Sequence, residues 1–343
     1  MAKIRLSKAH DLVGWALVKF CRRSICNYNR SAASFHNKRR RRRGKSISSV
    51  PDEEEIAMSV AASAALPDDD SIRIRPLQPT IGAEVEGVDL SRPLAPAQRD
   101  AIRAAVLRHK VVFFRDQALD NESQAAFAAQ FGALYTHPST TRDPRVAPIH
   151  RIAAVDAAKY EKRLHRDVPP GDGYHSDTSW RLVPTWGAVL RAVTLPEVGG
   201  DTIWVDANLA YEGLSAELKE RLEGLHVTHD FREALAASGH DYPIVAHPVV
   251  RAHRETGQKI LWVNLTQKPQ ILGVELAESR ALLDEVLRQY KRPEFQVRFS
   301  WRPGSVAFWD NRAAVHYAVR NYGDFPRHLE RVLIADEPLY AGL

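Results

Sequence analysis

The sequence predicts a mostly β domain with flanking helices, built as an antiparallel sandwich or a double-stranded β-helix (jelly roll). Three observations carry that prediction. Short β-branched and aromatic runs bounded by Gly and Pro recur through residues 187–335, helical apolar spacing is confined to a few segments, and no stretch repeats another.

In chain order, residues 72–74 are the first strand-like segment. Residues 95–109 follow with helical spacing, Ala101, Ile102, Ala105 and Val106 forming one apolar face, and lead into the apolar strand 111–114. A second helix is expected over 122–131, and two more over 215–225 and 275–290, each rich in Leu, Glu and Lys or Arg. The remaining expected strands are 187–193, 201–205, 247–250, 260–263, 295–300, 305–309 and 331–335. One domain, 71–343, accounts for all of them.

The chain has 343 residues, 44% hydrophobic and 26% charged, which supports an ordinary buried core. Its net charge of +6 would suggest nucleic acid or an anionic membrane as partner if the charge were evenly spread. It is not. Residues 1–57 hold 14 Lys and Arg against 5 Asp and Glu, while the rest of the chain holds 34 against 37. The body is mildly acidic, so nucleic acid is not expected as a partner of the folded domain. Both cysteines, Cys21 and Cys26, also lie upstream, which excludes a disulfide framework or a Cys-ligated zinc site in the body and points to a cytoplasmic protein. No apolar run reaches the roughly 18 to 20 residues that span a bilayer, and the longest, 12–20, is interrupted by Lys19.

Residues 1–70 read as a basic leader outside the fold. A Ser- and Asn-rich stretch runs into Lys38 and the arginine block 39–43, followed by the acidic residues 52–55, and such composition has too little apolar surface to offset the entropy of ordering. Disorder is expected to about Asp70. The basic block suits a targeting or nucleic-acid patch, or an extension that is not translated at all, because Met58 offers an alternative start close to the first strand.

The chemistry is concentrated in two segments. Residues 171–180 read GDGYHSDTSW, and on a strand alternate side chains share a face, so His175 and Asp177 can present an imidazole and a carboxylate to one ion. The second segment, PGSVAFWDNRAAVHYAV from Pro303, supplies a distant His316. Two histidines and one carboxylate make a facial triad that leaves three positions of an iron(II) ion open for a co-substrate and oxygen. A chelating co-substrate needs an anchor. Arg327, eleven residues beyond His316 and across a turn at 322–326, can take a carboxylate bidentately.

The order His-x-Asp, GGDT, WDNR-x3-H and a trailing pair of arginines resembles the TauD/TfdA family of taurine and 2,4-D dioxygenases, from about residue 72 to the end. The resemblance implies a double-stranded β-helix that binds Fe(II) through His175, Asp177 and His316. It further implies 2-oxoglutarate and O2 as co-substrates, with Arg327 and Thr202 holding the C5 carboxylate of 2-oxoglutarate. Oxidative decarboxylation to succinate and CO2 would accompany hydroxylation of the prime substrate. A homo-oligomer, dimer or tetramer, is expected.

The resemblance also carries an expectation for that substrate. Arg331 and His137 match positions that bind a sulfonate in taurine-type relatives, Thr178 matches one that contributes a backbone N–H, and Trp180 would form a pocket wall. A small anion such as an alkanesulfonate, an alkyl sulfate or a taurine-like molecule is implied. Taurine-type members, however, carry a tyrosine three residues after this histidine and an asparagine four residues before the His-x-Asp histidine, where this chain has Thr140 and Gly171. Those departures favour an anion less polar than taurine, or an aryloxyalkanoate or other carboxylate. Two readings from other classes stay open: a nucleic-acid-binding protein driven by residues 39–43, and a zinc hydrolase using the same three ligands, which has no need of Arg327 or Thr202.

Overall fold

The run Val111–Phe114 is buried at every position, and so is Val306–Asp310. A strand achieves that only when both faces of its sheet are covered. The computed structural model describes residues 72–138, 140, 148–153, 173–239 and 241–336, and shows what covers them.

The larger sheet runs β1 (Arg73–Pro76), β2 (Ala83–Glu86), β3 (Val111–Phe114), β14 (Val306–Asp310), β6 (Gly187–Thr194), β16 (His328–Ile334) and β4 (Leu134–Tyr135), with β5 (His150–Ala153) also paired to β16. Its pairings are antiparallel except β2 with β3. A second sheet runs β13 (Gln296–Phe299), β7 (Thr202–Asp206) and β15 (Ala314–Ala318), antiparallel throughout. Two smaller sheets join β12 (Ile271–Leu272), β8 (His226–His229) and β9 (Val245–Pro248), and β10 (Val250–Ala252) with β11 (Lys259–Leu261).

Period-2 alternation sorts the side chains into three layers. Val111, Phe113, Leu190, Ala307, Trp309 and Leu333 of the larger sheet pack against Trp204, Val297, Phe299 and Ala314 of the second, closing the interior of a jelly roll. Phe113 and Phe299 stack with centroids 3.9 Å apart. The intervening residues Val112, Phe114, Val189, Phe308 and Val332 meet Ile102 and Val106 of helix Pro96–His109 and Phe127 of helix Asn121–Ala129. The outer face of the second sheet, Val205 and Val315, meets Leu282, Val286 and Tyr290 of helix Leu276–Tyr290. The mostly β fold with helices outside is the one the sequence predicted.

Strand 247–250 differs from its expectation. The chain changes partner at Val249: Val245–Pro248 pairs with β8, and Val250–Ala252 pairs with β11. Val249 itself donates to the Leu225 carbonyl and accepts from the Trp262 N–H. Apolar spacing marks an extended run but carries no information about which neighbour it faces. The chain divides at Ala65–Leu66, and every described residue belongs to the second unit, so the expected leader, its basic block and Met58 lie outside the described residues. Among those described, no helix is long and apolar enough to cross a membrane.

Candidate metal centre

His175 and His316 sit opposite each other in a single antiparallel bridge. The His175 N–H donates to the His316 carbonyl at 3.0 Å and the His316 N–H returns the bond at 2.8 Å. Strand β15 pairs with β7 from Ala314 to Ala318, and alternation puts His316 on the inward face with Ala314, beside the rings of Trp309 and Trp204 at 5.1 and 6.4 Å. The His-x-Asp segment is not the full strand its spacing suggested. The ladder stops after the one bridge, and Asp177 opens a turn.

What fixes Asp177 is Asn311. The Asp177 N–H donates to Asn311 Oδ1 at 2.7 Å, and Asn311 Nδ2 donates to the carbonyls of Asp177 at 2.8 Å and Thr185 at 3.0 Å. Asn311 is held in turn by its neighbours. Asp310 is gripped by Arg312 and by His253 Nε2, and Glu255 bridges Arg312 to Arg103.

These supports bring Nε2 of His175 and Nε2 of His316 to 3.9 and 3.8 Å from Asp177 Oδ1, and ligand atoms of the three residues lie within 4.8 Å of one another. The chemistry of the donor set fits a divalent cation. His175 Nδ1 lies 2.7 Å from the Gly173 carbonyl, so it carries the proton and Nε2 keeps its lone pair. Burial pushes the His316 imidazole down to about 3, reinforced by His175, and pushes His175 down as well. Burial alone would raise the Asp177 carboxyl, but the Arg331 guanidinium, with His316 and His175, outweighs it and holds the group at about 2. Asp177 Oδ2 is buried with no hydrogen-bond partner among the described residues. Two neutral imidazoles and one carboxylate with an unused oxygen could hold a metal ion.

A second cluster lies around Arg327. Its side chain is buried, its Nε donates to the Gly200 carbonyl at 2.9 Å, and Nη2 lies 3.4 Å from Thr202 Oγ1, which also accepts from Trp301 Nε1 at 3.0 Å. Gly200 has a φ of +73°, and a Cβ there would meet Arg327 Cδ and Nε at 3.0 Å, so the GG of the GGDT segment gives the guanidinium its seat. Arg327 and Thr202 thus lie together.

The third cluster surrounds Arg331. Its Nη1 bonds Asp177 Oδ1, its Nη2 lies 2.8 Å from His150 Nδ1, and its buried Nε has no partner among the described residues. His150 stacks on His137 with centroids 4.2 Å apart and planes 8° apart, and His137 meets the edge of Trp180 at 6.2 Å. Trp180 is buried and packs on Tyr242. A cavity of about 320 Å³ opens here, lined by Tyr135, Thr136, His137, Pro138 and Tyr242. Thr178 adopts a positive φ of 52° and its hydroxyl lies 3.0 Å from that of Thr185, which leaves only its backbone for a ligand. The Thr140 N–H donates to the His137 carbonyl at 2.8 Å, while Gly171 lies outside the described residues.

Sequence reasoning missed Asn311, although the WDNR segment that holds it was in view, and missed His150, which no motif marks. His253 is a buried core residue whose Nε2 lies 3.0 Å from Asp310 Oδ2, whereas His229 is buried with neither ring nitrogen bonded among the described residues.

The family model "Taurine catabolism dioxygenase TauD, TfdA family" matches residues 73–333. The chain is 34% identical over 297 residues to the alpha-ketoglutarate-dependent sulfate ester dioxygenase of Pseudomonas putida, covering 82% of this chain and 95% of that protein. It is 31% identical over 289 residues to the alpha-ketoglutarate-dependent 2,4-dichlorophenoxyacetate dioxygenase of Cupriavidus pinatubonensis, covering 78% of this chain and 99% of that one. Among solved structures, a taurine dioxygenase from Burkholderia xenovorans superposes with a TM-score of 0.68 at 40% identity, over 78% of this chain and 92% of that one.

Proposed function

The chain belongs to the TauD/TfdA family and is an Fe(II)- and 2-oxoglutarate-dependent dioxygenase; from that premise we propose that it hydroxylates a small organic anion, an alkyl sulfate, an alkanesulfonate or a taurine-like molecule. The observation that carries the proposal is Arg331, a buried guanidinium whose Nε–H has no acceptor among the described residues, placed between the Asp177 carboxylate and the imidazoles of His150 and His137. A buried donor of that kind is costly unless an anion completes it. Relatives named as a sulfate ester dioxygenase and an alkylsulfatase support a sulfur anion. A relative named as a 2,4-dichlorophenoxyacetate dioxygenase supports a carboxylate on an aryl ether as the second reading, since the same edge accepts a carboxylate.

In this reading His175, Asp177 and His316 hold iron, and Arg327 with Thr202 holds the distal carboxylate of 2-oxoglutarate. When bound, iron and 2-oxoglutarate supply the oxidising chemistry, in which O2 is consumed, succinate and CO2 are released, and one oxygen atom enters a C–H bond of the substrate. The protein contributes charge, orientation and dryness. Neutral imidazoles and an ionised Asp177 give a ligand set with one net negative charge, which favours a dication over a proton. Trp204 and Trp309 keep water from the buried side of His316, and Asn311 keeps the Asp177 peptide from rotating. Arg327 lies just before β16 and Arg331 within it, each buried against different partners, so each can take its own anion. A cytoplasmic location and a homo-oligomeric state, dimer or tetramer, complete the proposal, the latter checked by light scattering.

The test is succinate formation from 2-oxoglutarate under air across taurine, alkanesulfonates, alkyl sulfates and phenoxyacids. Fastest turnover is expected with an alkyl sulfate or alkanesulfonate. Faster turnover of a neutral analogue, such as the corresponding alcohol, would overturn the anion reading.

A further inference from the structure

We infer that His150 is a positioning residue for substrate recognition: it aims the Arg331 guanidinium at the anionic head group and so helps set which anions the enzyme accepts. The inference rests on the proposed role of Arg331 as the head-group anchor.

His150 and Arg331 are direct cross-strand partners of β5 and β16. Side chains so paired lie on one face with their Cβ atoms about 5 Å apart, close enough for an imidazole to meet a guanidinium without either leaving its strand. Arg331 Nη2 lies 2.8 Å from His150 Nδ1. A guanidinium can only donate, so Nδ1 must carry a lone pair, and the imidazole is the neutral tautomer with its proton on Nε2. The surroundings agree, since burial, then Arg331, then His137 push His150 down to about 3.

The consequence concerns geometry rather than charge. Arg331 is pulled at one end by Asp177 and at the other by His150, and its Nε–H is left without an acceptor. Without His150 nothing described opposes the pull of Asp177, and the guanidinium would settle on that carboxylate alone. The stack on His137 fixes the plane of the His150 ring, and therefore the direction of its Nδ1 lone pair. A flat phenyl ring, which has no nitrogen, would keep the stack and lose the aim. An asparagine places its Oδ1 near the position of Nδ1 and would keep the aim.

The experiment uses the full chain loaded with Fe(II), comparing wild type, His150→Phe and His150→Asn. Hexyl sulfate, hexanesulfonate and phenoxyacetate are the anions, hexan-1-ol is the neutral control, and KM for the anion and for 2-oxoglutarate are measured separately. On the anion that wild type uses best, His150→Phe is expected to raise the anion KM about tenfold, the size expected for one charge-assisted hydrogen bond. Its 2-oxoglutarate KM and its kcat should stay within about twofold of wild type, and His150→Asn should recover most of the anion KM. The inference is overturned by an unchanged anion KM in His150→Phe, by an equal rise in both KM values, or by no recovery in His150→Asn. Failure of the underlying reading has a different signature, visible in wild type alone: hexan-1-ol is turned over better than any anion.

Discussion

Asn311 clasps the peptide of Asp177 from both sides, accepting from its N–H at 2.7 Å and donating to its carbonyl at 2.8 Å, across 134 residues of sequence. The clasp does the work that a strand ladder would have done, because the ladder between His175 and His316 ends after one bridge. Asn311→Ala removes both of these bonds and a third, to the Thr185 carbonyl, and strands a buried N–H and two carbonyls, at a cost of about 1 to 3 kcal/mol each. The expected outcome is a folded protein whose affinity for Mn(II), read by electron paramagnetic resonance, falls about 10- to 100-fold, the usual range for groups that orient metal ligands. Wild-type affinity in that variant would show that Asp177 holds its place without the clasp.

The proposed ligands have no substitutes nearby: among the described residues, His175, Asp177 and His316 are the one group of three with metal-ligand spacing. His175→Ala, Asp177→Ala and His316→Ala are each expected to abolish iron-dependent succinate release. Near-wild-type turnover at limiting iron in any one of them would remove that residue from the set.

Much of this architecture was readable because it rests on local pattern. The run 111–114 is a buried strand in both readings, since continuous apolar residues bounded by a helix have few other homes. The helix expected over 275–290 is Leu276–Tyr290, because its apolar spacing persists for four turns. What was not readable depends on partners distant in sequence. Nothing in residues 247–250 says that the chain changes neighbour at Val249. His150 has no motif, and its place beside Arg331 comes from strand register, which a single sequence does not display. The His175–Asp177 pair was legible through spacing and His316 through the motif order, whereas the Asn311 clasp joins residues that no local pattern links.

Two buried histidines outside the proposed ligand set give the fold a pH limit. Burial, then His247 and Arg251, push His229 down to about 3, and burial followed by Arg251 pushes His247 down to about 4 despite its bonds to the Ser179 and Arg181 carbonyls. In the unfolded chain both titrate near 6.5. Between about pH 6.5 and 4 the unfolded state therefore binds more protons than the folded one. Their stability contribution is complete above pH 6.5 and is lost as pH falls, at up to about 1.4 kcal/mol per pH unit for each group. In the metal-free protein His316, His150 and His137 are depressed as well, so urea unfolding from pH 7.5 to 5 should show a slope steeper than these two groups alone supply, and His229→Leu should flatten it by about one proton. A slope unchanged by that substitution would mean that His229 is already protonated in the folded state.

Arg327 and Arg331 lie four residues apart, and both are buried, so the prediction that separates them is the sharpest test of the proposed site. Removing one partner of a buried, charge-assisted pair costs roughly 2 to 5 kcal/mol, or about 30-fold to several thousand-fold in affinity. The loss should fall on different ligands. Arg327 sits on the Gly200 carbonyl beside Thr202, away from Asp177, so Arg327→Ala should raise the KM for 2-oxoglutarate far more than that for the substrate. Gly200→Ala should give a milder version of the same defect, because its Cβ would press on Arg327 and its φ of +73° disfavours any side chain. Arg331 instead reaches His150 and Asp177, so Arg331→Ala should raise the substrate KM and, at saturating iron, leave substrate-free decay of 2-oxoglutarate largely intact. Arg331→Lys keeps the charge but not the planar fork, and should fall between the two. If Arg331→Ala spared the best substrate in the screen while Arg327→Ala behaved as expected, the 2-oxoglutarate anchor would stand, and the prime substrate would have to be sought among neutral molecules.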